Sequence, residues 1–484
     1  MKFDVCIIGS GAGGALAAYG LQNTLGNIAI IEKGDWAKRN QDPLFSLQHY
    51  YRDQGFIGGL GKGFIGIPTG EVVGGTTTIN SGTCFETPES VIQEWKDQLH
   101  ISIERSELEP HFETLKTLLS IHPVPEEKIS IGNKLFRNGV EALGFTSPSP
   151  LNRDEKNCDG SGRCPFVCPN EAKQSTDVAI LPLFLKKGGT LLTQTTVTHI
   201  QEEKNKVLLF CKDAQKKSLT VECKKLIISA GSLSTPILIR KNKLGTEWKK
   251  AGNGLTVHPA VKVLAQFKNP LYSSKGVPQA IGFKHPSFPY LSFEGVFTPP
   301  QLASLVLPLD GKSLDDWLLQ YDHVASFGVL VKDRGRGTVR HYPGLGLFIH
   351  YPLHPKDFLD LVEGARFIGL AYLKAGAQKV VLPFSGSQNE FLDFNDLKEY
   401  DFGSLKPSQL YAMGFHPLGS CGIKRVVDEN LKVYGSDRIF IADGSVVPSS
   451  LGVNPQITIM AFALRLANYL KRQLKSSDSD IRES

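Results

Sequence analysis

The feature that most constrains this chain is Gly9-Ser10-Gly11-Ala12-Gly13-Gly14, set between an apolar run at 5–8 and an alanine-rich stretch at 15–18. Gly9, Gly11 and Gly14 have the spacing G-x-G-x-x-G at a strand-to-helix junction. The first glycine permits the tight turn, the second lets backbone approach a pyrophosphate, and the third lets helix and strand pack closely. Gly13 belongs to the same turn. The helix that follows offers free N–H groups and the positive end of its dipole to phosphates. A second apolar run at 27–31 ends in Glu32, whose carboxylate can accept from ribose hydroxyls and disfavours a 2′-phosphate. Strand, turn, helix and acidic strand end together predict a dinucleotide site. They do not separate FAD from NAD.

The chain has 484 residues, enough for one very large domain or two to three ordinary ones. A hydrophobic fraction of 41% supports a sizeable core. The net charge of +6 is spread without a long basic run, so neither nucleic acid nor a membrane surface is an expected partner. No stretch has the length and apolarity of a transmembrane span. No signal peptide precedes the first apolar run, so a cytoplasmic location is the default expectation.

The fold class expected is α/β with an α+β second domain. A Rossmann-like first domain takes residues 1–259, with a Cys-rich insertion at 150–175. Residues 35–70 read as an extended, cofactor-lining segment, and 91–121 as helical. Strands are expected at 189–200, 206–211 and 224–230, then a helix from Ser234-Thr235-Pro236. Between 260 and 400 the pattern changes to short strands separated by turns (261–267, 279–284, 291–297, 324–331 and 347–350), with one helix at 355–375. This predicts an antiparallel-sheet domain for the substrate. Residues 401–472 return to the first domain and end in a helix, and 473–484 read as a disordered tail.

Later motifs distinguish the cofactor. Gly74-Gly75-Thr76-Thr77-Thr78-Ile79-Asn80, Ala230-Gly231-Ser232-Leu233-Ser234-Thr235-Pro236, His416-Pro417-Leu418-Gly419-Ser420, Ile441-Ala442-Asp443-Gly444-Ser445 and Val453-Asn454-Pro455-Gln456 follow one another along the chain. In kind and order they resemble the signatures of the glucose–methanol–choline (GMC) oxidoreductases. The resemblance runs from residue 5 to about 470. It implies FAD as cofactor, with contacts from Gly74, Gly75, Thr76, Asn80, Ala230, Gly231, Asp443, Gly444, Asn454 and Pro455. Val197 covers the adenine through its backbone or simply packs in its strand.

Oxidation of an alcohol by a flavin needs a base for the hydroxyl proton and a hydride acceptor for the carbon. Histidine suits the base because it titrates near neutral pH. The resemblance places His416 there and Asn454 beside it on the substrate oxygen. His285, His354 and His258, each also followed by proline, read as satisfied turn residues.

Cys158, Cys164 and Cys168-Pro169 form the one cysteine cluster. Three thiolates are too few for a structural zinc site but suit a [3Fe–4S] centre. Within the GMC family this pattern resembles the catalytic subunits of bacterial FAD glucose dehydrogenases. That implies a sugar, polyol or alcohol substrate, an external electron acceptor, and an escort subunit that can carry a signal-less partner out of the cytoplasm. A disulfide with a leftover thiol, or three free thiols, are the alternatives. An oxygen-reducing oxidase of sterols or long-chain alcohols, and a flavin-bearing hydroxynitrile-type lyase, stay open as functions.

Overall fold

The computed structural model describes residues 1–22, 26–386 and 388–482, from 474 onward as backbone only. The short apolar runs near the N-terminus form β1 (Lys2–Ile8) and β2 (Ile28–Ile31), joined through the helix α1 (Ala12–Leu21). All four residues of β2 are buried, as a strand covered on both faces requires. β1 lies between β2 and the strand Ser218–Ile228, parallel to both. Thr190–Leu192 extends the sheet beyond β2, and Ile439–Ile441 pairs in parallel with Ser218–Ile228. Val207–Lys212 pairs antiparallel with Ser218–Ile228 and with the edge strand Thr196–Glu202, completing a seven-stranded sheet. Ile8, Ile31, Ile228 and Ile441 therefore end at one edge, where parallel sheets of this type place their ligands.

A second sheet of 13 strands forms the other layer. Its centre is antiparallel: Pro259–Gln266 pairs with Val324–Val331, which pairs with Leu291–Gly295. The helices Ile131–Ala142 and Pro355–Lys374 cover one face. They approach so closely that a Cβ on Gly139 would lie 1.9 Å from the carbonyl of Ala371. Phe136 stacks on Phe327 of the sheet at 3.7 Å.

Several expectations change in detail. The segment 35–70 contains the helix Pro43–Tyr50, capped by Asp42 through Phe45 N–H, and a hairpin of Gly58–Leu60 with Phe64–Gly66. This hairpin joins the second sheet, as do Ser149–Pro150, Asn253–Leu255 and Ala412–Gly414. The sheet is thus not confined to 260–400. Strands of two or three residues carry too few side chains to leave an alternating pattern. The helical stretch at 91–121 is two helices, Glu89–Leu99 and Arg105–Leu118, with His100 in the left-handed region between them. The final helix runs Gln456–Arg482, so the expected tail is helical up to that residue, and 483–484 lie outside the described residues. No helix among the described residues is long and apolar enough to cross a membrane.

Candidate active site

Packing explains each glycine of the first turn. Gly9 has φ +98°, and a Cβ on it would lie 2.3 Å from the carbonyl oxygen of Ser229, next to Ala230. A Cβ on Gly14 would lie 2.0 Å from Gly9 O, and one on Gly13 only 1.6 Å from Ala442 O. Gly11 differs: its nearest neighbours are Gly74 O and Gly75 Cα at 3.8 Å. Gly74 and Gly75 both have positive φ, so the second glycine motif turns directly over the first. No side chain caps the start of α1, so its first N–H groups are left for an anion.

Glu32 is buried, and burial pushes its pKa up. Its Oε2 accepts from Ser10 N–H at 2.9 Å and Ser10 Oγ at 2.7 Å, and its Oε1 from Gly34 N–H at 2.7 Å. Ser10 Oγ in turn accepts from Gly74 N–H at 2.9 Å. Ser10, which sequence reasoning passed over, thereby ties the acidic strand end to the second glycine motif. Thr195 N–H donates to Glu32 O at 2.9 Å, which brings the strand of buried Val197 alongside.

The first motif after the turn is less uniform than its sequence. Thr76 is exposed and accepts from Gly70 N–H at 3.0 Å. Asn80 donates to Gln456 Oε1 at 2.6 Å and accepts from Gly82 N–H at 3.0 Å and Lys173 Nζ at 3.3 Å. Its amide therefore braces Gln456, the residue after Asn454-Pro455.

The C-terminal motifs meet over the same turn. Asp443 Oδ2 accepts from Gly231 N–H at 2.9 Å and from Thr235 Oγ, while Oδ1 accepts from Ser445 N–H at 2.8 Å. Buried Asp443 thus clamps one signature to another. Ser420 Oγ donates to Ser232 O at 2.6 Å, and Gly444 packs against the carbonyl of Pro417. Gly231, with φ +84°, faces open space: a Cβ there would meet nothing within 4 Å.

His416 follows the strand Ala412–Gly414, whose Gly414 pairs with Pro259. That register sets His416 beside His258, Nδ1 to Nδ1 at 3.0 Å. Burial, then the neighbouring His258, hold the pKa of His416 well below the usual histidine range. His258 is fully buried and held down to about 3, chiefly by burial, with Lys284, Lys332 and Arg336 adding to it. Its expected part as a satisfied turn residue is too small. Its Nε2 accepts from the N–H groups of Leu451 at 3.0 Å and Gly452 at 3.1 Å, which fixes the loop leading to Asn454. His-Pro recurs at 122–123, 258–259, 285–286, 354–355 and 416–417, so the dipeptide alone does not single out His258.

Asn454 stands with its amide nitrogen toward Glu294, donating at 2.8 Å to Oε1 and 3.2 Å to Oε2. Glu294 also accepts from Gln279. Burial raises its pKa to about 7, against the hydrogen bond from Gln279 and the charge of Lys284. A buried carboxyl poised near neutrality is what acid–base sites require. Sequence reasoning did not single it out. Pro455, also buried, leads from Asn454 into the last helix.

Cys164 and Cys168 are buried, and Cys158 is half-buried. Cys164 Sγ accepts from Arg153 Nη2 at 3.2 Å, and Cys158 Sγ from Gly160 N–H at 3.4 Å. Lys173, whose pKa burial lowers to about 8, donates to Thr78 O, Asn80 O and Cys164 O. Of the three thiols, that of Cys164 contacts a buried cation, Arg153, and Lys173 holds the Cys164 backbone. Among the described residues they do not gather as ligands of a single ion. The one set that does, Glu86 with Glu109 and Glu113, is already bridged by Arg105 and Lys116. The other five cysteines are buried, as expected of core residues.

The chain is similar to known proteins over most of its length. The GMC oxidoreductase family model matches at 47–260 with its N-terminal part and at 335–463 with its C-terminal part. An uncharacterised GMC-type oxidoreductase of Sinorhizobium fredii is 30% identical, over 96% of this chain and 94% of its own. A long-chain-alcohol oxidase of Arabidopsis thaliana is 26% identical over 98% of this chain and 68% of its own. Pyridoxine 4-oxidase from Mesorbium loti superposes with a TM-score of 0.73 at 18% identity, over 96% of this chain and 99% of that one.

Proposed function

The chain belongs to the GMC oxidoreductase family and is an FAD-dependent oxidoreductase, and from that premise we propose that it oxidises the CH–OH group of an alcohol with an apolar body. The residues present fit the cofactor: uncapped N–H groups at α1, backbone clearance at Gly11, and open space at Gly231. Bound FAD supplies the acceptor for a hydride. Gly9 to Gly14 would hold its pyrophosphate, Glu32 its ribose, and Gly74 and Gly75 would let backbone approach its flavin. His416 and Asn454 address the substrate oxygen. The alcohol loses a proton from oxygen to a protein base and a hydride from carbon, and leaves as a carbonyl.

One observation carries the substrate class. Leu60 and Phe64 pair across their hairpin, and both are more than half exposed. Gly66 of the same strand pairs with Met413, and Phe64 and Met413 both border the space over Gly66 at 3.8–4.0 Å. Two residues on, with the same strand alternation, comes Phe415, 42% exposed and next to His416. An apolar strip thus reaches Phe415, the residue before the candidate catalytic histidine, whose own side chain the same alternation turns to the other face, against His258. Hydrocarbon gains free energy on such a strip at about 25 cal/mol per Å², whereas sugar hydroxyls gain little.

A second reading is sugar oxidation. It is favoured by 22% identity to the large subunit of fructose dehydrogenase from Gluconobacter japonicus, over 73% of this chain. Anaerobic mixing with a graded series of linear alcohols, sterols and sugars tests both, with flavin bleaching as readout. The proposal expects bleaching that strengthens with alcohol chain length; bleaching by sugars alone would overturn it. The same reduced enzyme exposed to oxygen, then to a soluble acceptor, distinguishes oxidase from dehydrogenase. The iron–sulfur reading of Cys158, Cys164 and Cys168 stands apart, supported by cysteine spacing alone. It requires iron and acid-labile sulfide in the purified protein.

A further inference from the structure

The hydrogen bonds of His258 leave its ring a single neutral arrangement. Nε2 faces two backbone N–H groups, those of Leu451 at 3.0 Å and Gly452 at 3.1 Å. Both partners can only donate, so Nε2 presents its lone pair. A neutral imidazole carries one proton, and with Nε2 bare that proton sits on Nδ1. Nδ1 is 3.0 Å from His416 Nδ1, so His258 donates and His416 accepts. The proton of a neutral His416 is then on Nε2. No described residue hydrogen-bonds that nitrogen.

The alternatives each set donors against donors. Moving the His258 proton to Nε2 would oppose two backbone N–H groups inside a fully buried pocket. Protonating His416 would put N–H against N–H across 3.0 Å; Lys284, Lys332 and Arg336 disfavour positive charge on the His258 ring, and the anion beside it, Asp333, bonds its backbone and not its ring. Hydrogen bonds hold the ring at both nitrogens. Its backbone is held in the left-handed region at φ +49°, with Asp333 accepting from Val257 N–H at 3.0 Å and His258 N–H at 3.4 Å. A non-glycine residue stays in such a conformation only when its surroundings fix it.

We propose that His258 is a positioning residue that locks His416 in its Nε2–H tautomer, so that His416 meets the substrate oxygen as a hydrogen-bond donor. Resting on the reading that His416 addresses that oxygen, this keeps the residue in place and changes its part. It steadies negative charge developing on oxygen, and the hydroxyl proton passes to the carboxylate of Glu294 beside Asn454.

The test reads the tautomer directly, without substrate. Holoprotein labelled with ¹⁵N-histidine is recorded by long-range ¹H–¹⁵N correlation at neutral pH, the His416 signals being assigned by their loss in His416→Gln. The expected pattern is a protonated Nε2 and a bare Nδ1. A protonated Nδ1 on His416 overturns the proposal, whether or not any alcohol is oxidised. His258→Phe keeps an aromatic ring but removes the donor. Here the His416 signals should shift toward the other tautomer, and kcat should fall by about 10-fold to 100-fold with FAD content little changed. An unchanged tautomer in that variant also overturns it. If the variant fails to fold, the wild-type spectrum still decides.

Discussion

Glu294→Gln should stabilise the protein at high pH and leave it little changed at low pH. The carboxyl of Glu294 has an ordinary pKa of 4.5, and burial raises it to about 7 in the fold. Between these values the native state holds a proton that the unfolded chain has released. Stability therefore falls as pH rises through this window, and the loss is complete above the folded pKa. At about 1.4 kcal/mol per pH unit, the cost of keeping Glu294 ionised reaches about 3 kcal/mol. Glutamine has the same shape, still accepts from Asn454 and never ionises. Urea unfolding of wild type and variant at about pH 5 and about pH 8 should show the advantage of the variant growing by about 2–3 kcal/mol across the interval. A gap that is the same at both values would refute the reasoning, because a constant offset is packing and not ionisation. Alcohol-driven flavin bleaching should slow in the same variant. A carboxylate that costs stability and supports turnover is kept for chemistry.

His416→Ala should lower the rate of anaerobic flavin bleaching by about 10²–10⁴-fold while the purified protein keeps its flavin absorbance; unchanged bleaching would remove His416 from the site. Gly13→Ala places a methyl group 1.6 Å from Ala442 O, between backbone and backbone, so the variant should lose bound FAD or solubility. Retention of full flavin absorbance would show that the turn adjusts. Asp333→Asn replaces one of two carboxylate oxygens that accept from Val257, His258, Ser450 and Tyr351. Two of those bonds are lost and the new amide hydrogens face donors, so urea unfolding should show a loss of about 3 kcal/mol or more.

What was legible in the sequence and what was not differ by how the information is carried. The first turn was legible because the spacing of its glycines is local, although the backbone a Cβ would strike is local only at Gly14, which meets Gly9, and remote at Gly9 and Gly13, which meet Ser229 and Ala442. The later signatures were legible as signatures, but not as a structure. That Asp443 clamps Gly231, or that Asn80 braces Gln456, depends on chain reversals that no spacing records. The hairpin at 58–66 was missed because three-residue, glycine-rich strands have no periodicity to read. Glu294 was missed because it sits in the strand LSFEG, in which every residue is buried, and a lone glutamate in a strand reads as a solvent-facing one.

His258 shows the limit most sharply. Alone it is a histidine before a proline, and the bland reading of a turn is reasonable. In the fold its backbone is bent by Asp333, its Nε2 holds the 451–452 loop, and its Nδ1 holds His416. Ser450 Oγ donates to the same Asp333 at 2.6 Å. The two candidate catalytic residues, far apart in sequence, therefore hang on one imidazole and one carboxylate. A substitution at Asp333 should then act on both. The His416 tautomer and the pH at which Glu294 ionises against Asn454 should move together in Asp333→Asn, whereas substitutions in Phe64 or Phe415 on the apolar strip should move neither. Independent responses in Asp333→Asn would mean that the loop and the histidine pair are separately supported.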